Sequence, residues 1–517
     1  MSLISLSFFI FVAVLACIYY TVPTKFRWCV LLVGNITFYL LVSTPILLVC
    51  TILMVCIAYF ATRYEGKRKQ WIIRSAITIE LLIWIVFQAN IFFVNNTNNI
   101  LRLIGSDSII PVPSWAAPLG ISYYALILVG YILDVYWGKI LAQNNPLKLA
   151  LFVTFFPQMI TGPITRYDEM SEQLFLGQRF SGQNIVFGTQ RILWGLFKKL
   201  VIAERLGDMV ALVYDNYTVY PGFVIVLGMF AYTLQLYCDF SASMDIVIGV
   251  GQIFGIMLPE NFRTPFFSTN LSELWRRWHM TLGFWVKDYV LYPVLKSVLV
   301  QRIGKYNKKK YGKKLGKQIS TYIGLLATWS FVGFWHGGSW KYIFGSGLCF
   351  FVIIVGGIVL EPVFVWCKKM FSIRTECFSY RLFQSIRTFV LFSISIGLTR
   401  ASGLKTGINM IKYIVTNFFS GLSSFSMVNL VYGAEGDGIS FVDLIELVVD
   451  YGVILGICLL VLFIISSLQQ KYSIRSTVST QNLPFRWAVW FVLIFTIIIL
   501  GHYGPGYSAS EFIYGGF

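Results

Sequence analysis

Only three histidines occur in 517 residues, and their neighbours suggest different uses. His336 closes an apolar run and is followed at once by Gly337, Gly338 and Ser339 within FVGFWHGGSWKYIFG, residues 331–345. Glycines in that position relax the backbone and clear space beside the ring, as a group approached by substrate requires. With an ordinary pKa of about 6.5, an imidazole can take a proton from a hydroxyl group at neutral pH, the task of a general base. A packing histidine is the plainer alternative; Trp335, Trp340, the glycine pair and the lack of a local acid favour the chemical reading.

His279 lies in ELWRRWHMTLGFWV, residues 273–286. Trp275, Trp278, Leu282, Trp285 and Tyr289 recur at three-to-four spacing, while Arg276 and Lys287 fall on another face. The pattern predicts one helix lying in or dipping into a membrane interface, with indoles at headgroup depth and cations toward water. Arg276, Arg277 and Lys287 could hold anionic lipid or the phosphates of a soluble donor, and the spacing leaves both open. His502 ends an apolar run, a place that favours an interfacial role over a catalytic one. No H-x-x-x-H or C-x-x-C pair occurs, so no metal site is expected; nor is there a G-x-S-x-G elbow or a P-loop.

These residues sit in a chain that is 57% hydrophobic and only 12% charged, against about 25% charged in soluble domains. Apolar runs long enough to cross a hydrocarbon core of roughly 30 Å begin near residues 2, 28, 45, 72, 115, 222, 319, 342, 383, 443 and 487. Less regular runs lie at 147–163 and 185–213, where prolines and glycines, or Lys198, Lys199, Glu204 and Arg205, interrupt the pattern. The expectation is an all-α polytopic membrane protein, a single integral domain with about ten to twelve segments, some re-entrant or interfacial.

The net charge of +18 is concentrated in clusters at Arg63–Arg74, Arg302–Lys317 and Lys368–Arg381, which the positive-inside rule places in the cytoplasm. Such loops are needed for orientation alone, so nucleic acid is not expected as a partner. The first apolar segment has no basic residue before it and Lys25 and Arg27 after it, which predicts a retained helix with its N-terminus outside. Within the apolar run 222–258, Asp239 and Asp245 are six residues apart, on different faces of a regular helix; Gln235 shares a face with Asp239. The expectation is that these aspartates satisfy backbone or hydroxyl groups where helices meet. The G-x-x-x-G step at Gly251 and Gly255 is read as a close helix contact.

Six stretches in order carry a resemblance: PLGISYY (118–124), FFPQMITGPITRY (155–167), ILWGLFKKLVIAERL (192–206), YCDFSASMDIVIGVGQIFGIMLPENFRTPF (237–266), LWRRWHMTLGFWVKDYVLYP (274–293) and GFWHGGSW (333–340). Together they resemble the membrane-bound O-acyltransferases, in the branch containing bacterial alginate O-acetylation and teichoic-acid D-alanine transfer proteins. FIYGGF at 512–517 looks like the family's aromatic ending, whereas DFSASMD departs from its usual D-F-S-G-Y-S-D. The resemblance covers a core of about 118–345, with peripheral helices at 1–117 and 346–517.

The resemblance implies a ring of helices around a thinned centre, with a tunnel from a cytoplasmic donor side to an external acceptor side. It implies a catalytic histidine at His336 and a second functional histidine at His279; Asp239, Asp245, Gln235, Ser339 and Trp335 are buried polar or tunnel candidates on the strength of their own placement in apolar runs. The donor implied is a cytoplasmic thioester, acetyl-CoA, with no bound cofactor. The acceptor implied is a hydroxyl of an extracytoplasmic partner protein or of a polysaccharide or cell-wall polymer, at the bacterial cytoplasmic membrane among its lipids. D-alanyl transfer from a phosphopantetheine carrier protein is the nearer alternative, and a channel or transporter without acyl chemistry the more distant one. External residues such as Lys405, Lys412, Glu435 and Asp437 are candidates to dock a partner, with a simple solvated surface as the better default.

Overall fold

The computed structural model describes residues 1–106, 109–113, 117–419, 452–504 and 512. Among these the chain is helical, with one isolated antiparallel bridge between Phe262 and Trp278. Hydrocarbon offers no partner for a free N–H or C=O, so a chain this apolar must satisfy its backbone within helices. Several helices are started by their own polar side chains: Ser5, Asn145, Ser181, Asn270 and Asn482 each accept a first-turn N–H.

Eight helices among the described residues are long and apolar enough to cross a membrane: Thr24–Val42, Pro45–Arg63, Lys69–Gln88, Gly222–Ile253, Trp340–Val359, Phe378–Arg400, Gly452–Gln469 and Leu483–Leu500. Leu6–Thr21 and Ile121–Tyr136 are shorter apolar helices. The run expected from 443 begins among residues outside the described ones, as do Glu435, Asp437 and most of FIYGGF. The irregular run at 147–163 breaks into Pro146–Val153 and Phe156–Met159. The one at 185–213 stays helical, passing from Gly182–Leu196 through a π-helical segment, Phe197–Ala203, into Glu204–Asp215.

The basic stretch 302–317, expected as a loop, is helical. It belongs to Val298–Trp335, which turns back on itself at Gly312 (φ 88°). A methyl group at Gly316 would lie 2.6 Å from the Lys308 amide nitrogen, and one at Gly304 would lie 2.5 Å from Ser320 Oγ. Pairs spaced evenly about Gly312 define an antiparallel helical hairpin with the lysines at its tip. Its second arm carries the apolar run and ends at His336.

Gly222–Ile253, 32 residues long and unbroken, is the axis of the molecule. Its close partner is Gly182–Leu196. The expected Gly251/Gly255 contact is not the one used: Gly255 lies past the helix end with φ +75°. The helices meet instead at Gly188 and Gly249, where a methyl group on either would come within 2.6 Å of the other's carbonyl oxygen, and at Gly195, 2.8 Å from the Ala242 carbonyl. The step that matters is therefore shared between two helices, which no single-helix spacing can show.

Charge joins the same helices. Asp239 and Asp245 do lie on different faces, but they meet cations rather than backbone or hydroxyl groups alone. Lys199 Nζ lies 2.7 Å from both Asp239 Oδ1 and Glu204 Oε1. Lys198 Nζ lies 2.7 Å from Asp245 Oδ2 and donates to Ser241 Oγ at 2.6 Å. Arg191 donates through Nε to Asp245 at 2.9 Å and forks onto Glu260 at 2.6 and 2.5 Å. Arg205 donates to the Leu500 carbonyl, His502 N–H to the Leu200 carbonyl, and the Phe512 ring sits 4.9 Å from Lys199 Nζ. Glu80, buried in Lys69–Gln88, is differently placed: neither carboxylate oxygen is hydrogen-bonded among the described residues.

Removing one member of a buried pair strands the other. Lys199→Met is therefore expected to cost about 3–5 kcal/mol, against no more than ~0.5 for Arg276→Ala at an exposed site. Thermal unfolding of the two purified variants beside wild type checks this, and equal shifts would remove the pairing argument.

Candidate active site

His279 owes its place to a break in the predicted interfacial helix. Leu271–Trp275 ends at Arg276, and a new helix, Met280–Val286, begins after His279, whose φ of 47° is left-handed. A non-glycine residue there is uncommon and must be held by its surroundings. The holder is the segment after the central helix: Arg263 N–H donates to the Arg277 carbonyl at 2.9 Å and Met280 N–H to the Asn261 carbonyl at 3.0 Å. The indoles are consequently turned into the protein. Trp278 and Trp285 are buried and Trp275 half-buried, while Arg276 and Lys287 point outward as expected.

Asn261 orients the ring. Its Oδ1 accepts from Thr281 N–H at 3.0 Å and from Thr281 Oγ1 at 3.0 Å, and it lies 3.2 Å from His279 Nδ1. A backbone N–H can only donate, so the atom facing it is the amide oxygen and His279 Nδ1 carries the proton. Nε2 is the basic nitrogen. Thr281 Oγ1 in turn accepts from Ile164 N–H at 3.0 Å, and Phe240 stands edge-on to the imidazole at 4.8 Å.

Trp335 packs against both histidines, its ring 5.9 Å from that of His279 and 5.1 Å from that of His336. Trp335 Nε1 donates to the Ser122 carbonyl at 3.1 Å, and Tyr123, whose hydroxyl pairs with Thr161 at 3.1 Å, meets the indole edge-on. Both histidines are almost fully buried. His336 is the last residue before Gly337 (φ 151°) and Gly338 (φ 45°). A side chain at Gly338 would also press on Ala89 at 3.2 Å, so glycine is required there twice over. Five of the six motif stretches thus meet around one indole, and the sixth, 192–206, supplies the lysines that pair with the aspartates.

A cavity of about 750 Å³ borders this centre through Asn261 and Met280, without His279, Trp335 or His336 in its lining. Its lining includes Arg191, Lys198, Asp245, Glu260, Arg263 and Arg475, together with Asn261 and Met280, the neighbours of His279. Gly452–Gln469 and Leu483–Leu500 close the far side through residues such as Cys458 and Leu493.

The candidates read from sequence divide accordingly. His279, His336 and Trp335 come together, and Asp245 lines the cavity, while Asp239 stays within the ion pairs. Gln235 packs against Gly207 instead, where a methyl group would lie 2.8 Å from its Nε2. Arg276, Arg277 and Lys287 do not line the cavity. Arg277 is engaged by Glu273 at 2.6 Å. Burial pushes the Glu273 carboxyl up, but hydrogen bonds from Thr269 and the Arg277 guanidinium outweigh it and hold the group below the ordinary range. Ser339 borders a separate pocket, whose lining does not include His336. Asn261, Arg263 and Arg475 were missed. Arg191 and Lys198 did carry a signal, being seven residues apart on one helical face opposite a buried aspartate.

A family model for the membrane-bound O-acyltransferases matches residues 29–306, which include His279 and stop short of His336. The chain is 29% identical over 445 residues to the probable alginate O-acetylase of Pseudomonas aeruginosa, covering 81% of this chain and 80% of that one. It is 27% identical over 446 residues to the peptidoglycan O-acetyltransferase of Helicobacter pylori, covering 81% and 75%. To the teichoic acid D-alanyltransferase of Bacillus subtilis it is 31% identical over 227 residues, covering 44% and 55%. With the motif stretches gathered about Trp335 and more than half of the sequence matched, this chain belongs to the membrane-bound O-acyltransferase family and is an O-acyltransferase.

Proposed function

We propose that the protein moves an acetyl group from a cytoplasmic thioester, acetyl-CoA, to a hydroxyl delivered from outside, for O-acetylation of an extracytoplasmic polysaccharide or cell-wall polymer. The observation that carries this reading is the pair of imidazoles packed against the one Trp335 ring, with His279's neighbours in the wall of a charged cavity. Arg263 and Arg475 lie beyond the ends of spans Gly222–Ile253 and Gly452–Gln469, at a membrane edge rich in cations. That is where the phosphates of a soluble donor would stay while the thioester enters.

In the step itself His336 takes the proton of the acceptor hydroxyl as its oxygen attacks the thioester carbonyl. The tetrahedral intermediate collapses, the C–S bond breaks, and the departing thiolate recovers the proton from the imidazolium. The thioester is already activated, so no ATP is consumed. His279, with Nε2 as its basic nitrogen, shapes the donor side of the same chamber. Similarity to a teichoic acid D-alanyltransferase supports a second reading, in which a carrier protein presents a D-alanyl thioester instead. Supplying acetyl-CoA alone to the purified protein with its membrane acceptors separates the two, because only the first reading predicts transfer.

Three outcomes are expected. His336→Ala abolishes transfer of labelled acetyl to polymer while the protein remains folded in the membrane, and full activity in that variant would sink the assignment. Asn261→Leu frees the His279 ring and lowers kcat by about 100-fold, with the donor KM within about twofold of wild type. Arg263→Glu raises the donor KM by roughly 10-fold or more, whereas Arg276→Glu changes it by less than about threefold; the reverse order would restore Arg276 as the phosphate partner.

A further inference from the structure

The eight cations between Arg302 and Lys317 stand on a built helical hairpin, although orientation in the membrane asks only for their charge. Toward the second arm the first buries Val300 and half-buries Ile303, Gly304 and Asn307; Leu299, Arg302, Tyr306 and Lys310 form its outer stripe. All eight cations are exposed. Lys305 with Lys309, and Lys313 with Lys317, are like charges one helical turn apart, and the fold then brings the two arms together, so the hairpin works against its own repulsion. The clusters at Arg63–Arg74 and Lys368–Arg381 contain Glu65 and Glu376, whereas this one contains no acid. No ion pair among the described residues includes any of its cations. Its counter-charge must come from outside the chain.

Depth points to the source of that counter-charge. Along the second arm, Gly312 lies roughly 10 Å beyond Ile319, where the apolar run starts, so the lysines stand in the layer of phospholipid headgroups rather than far out in water. Apolar side chains are exposed among them: Leu299, Tyr306, Tyr311 and Leu315, with Lys310 Nζ 5.1 Å from the Tyr311 ring and 5.9 Å from that of Tyr306. Lysines interleaved with exposed leucine and tyrosine suit a surface that is charged at one level and apolar at the next. A small soluble anion would leave Leu299 and Leu315 in water. We propose that this hairpin is a binding site for anionic phospholipid headgroups of the cytoplasmic leaflet, its lysines holding the phosphates while Tyr306, Tyr311 and Leu315 sit among the glycerol and upper acyl carbons. Headgroups gathered there neutralise both arms and steady the second, which continues as helix to Trp335. Such a site is independent of the acyl-transfer reading.

The experiment is electron spin resonance on the full-length protein in phosphatidylcholine bilayers at low salt, which reads the association of spin-labelled phosphatidylglycerol relative to spin-labelled phosphatidylcholine. Wild type is expected to favour the anionic lipid by about threefold, and salt at about 1 M to bring the ratio near one. Lys309→Gln/Lys310→Gln/Lys313→Gln should remove most of the excess; glutamine is a good helix former, and unchanged circular dichroism checks that the hairpin persists. Lys309→Arg/Lys310→Arg/Lys313→Arg, which keeps the charge, should retain the excess. Lys67→Gln/Arg68→Gln/Arg74→Gln deletes as many exposed cations from another basic cluster and should leave most of it. A ratio near one in wild type overturns the proposal. Equal losses in the two glutamine variants do so as well, since they would leave only the general field of a positive surface. So does displacement of the anionic spin label by coenzyme A that the hairpin glutamine variant abolishes, which would give these lysines to a soluble phosphate ligand.

Discussion

Charge inside a membrane protein must be matched within the protein, and the match between Gly182–Asp215 and Gly222–Ile253 governs much of this molecule. Lys198, Lys199 and Arg191 reach across to Asp239, Asp245 and Glu260 at 2.5–2.9 Å. Each ion alone would cost several kcal/mol in hydrocarbon. Together they can be buried, and because both helices must be in register for every pair to close, the pairs fix register as well as proximity. Gly188 and Gly249 permit the approach; the ions determine where along the helices it occurs. Asp245 and Lys198 also form part of the cavity wall, so the same pairs that hold the axis give the cavity its polar lining.

The active-site centre is built by a different logic, with one amide oxygen serving three donors from a neighbouring segment. The oxygen fixes the His279 tautomer and supports a left-handed residue at the junction of two short helices. A helix running straight through would carry the imidazole along its regular face. The break allows it to turn toward Trp335.

Much of this was legible in the residues, but unevenly. His336 with its glycines, and the pairing of His279 and His336 through recurrent motifs, pointed to residues that do lie around one indole. The helix break was hidden because Trp275, Trp278, Leu282, Trp285 and Tyr289 keep an apolar rhythm on both sides of it. A single left-handed residue redirects the chain without disturbing that count. The lysine-rich stretch looked like a loop because orientation signals usually are loops, whereas Gly312 lets two helical arms carry it. The partners of Asp239 and Asp245 lay some 40 to 54 residues away, beyond the reach of periodicity. Asn261, beside Glu260 in a segment without periodicity, gave no sign that its amide would orient His279.

The docking of Leu500, His502 and Phe512 onto residues 199–205 bears on how the protein is made. Arg205 and the Leu500 carbonyl are 295 residues apart in the chain, and Phe512 lies against Lys199. During synthesis the central helices leave the ribosome long before these contacts can form. Lys199 and Arg205 therefore wait, incompletely covered, while several later spans are inserted. Completion of the core is a late event in biogenesis, so a product that stops short of residue 500 keeps a seam open that membrane quality control can recognise.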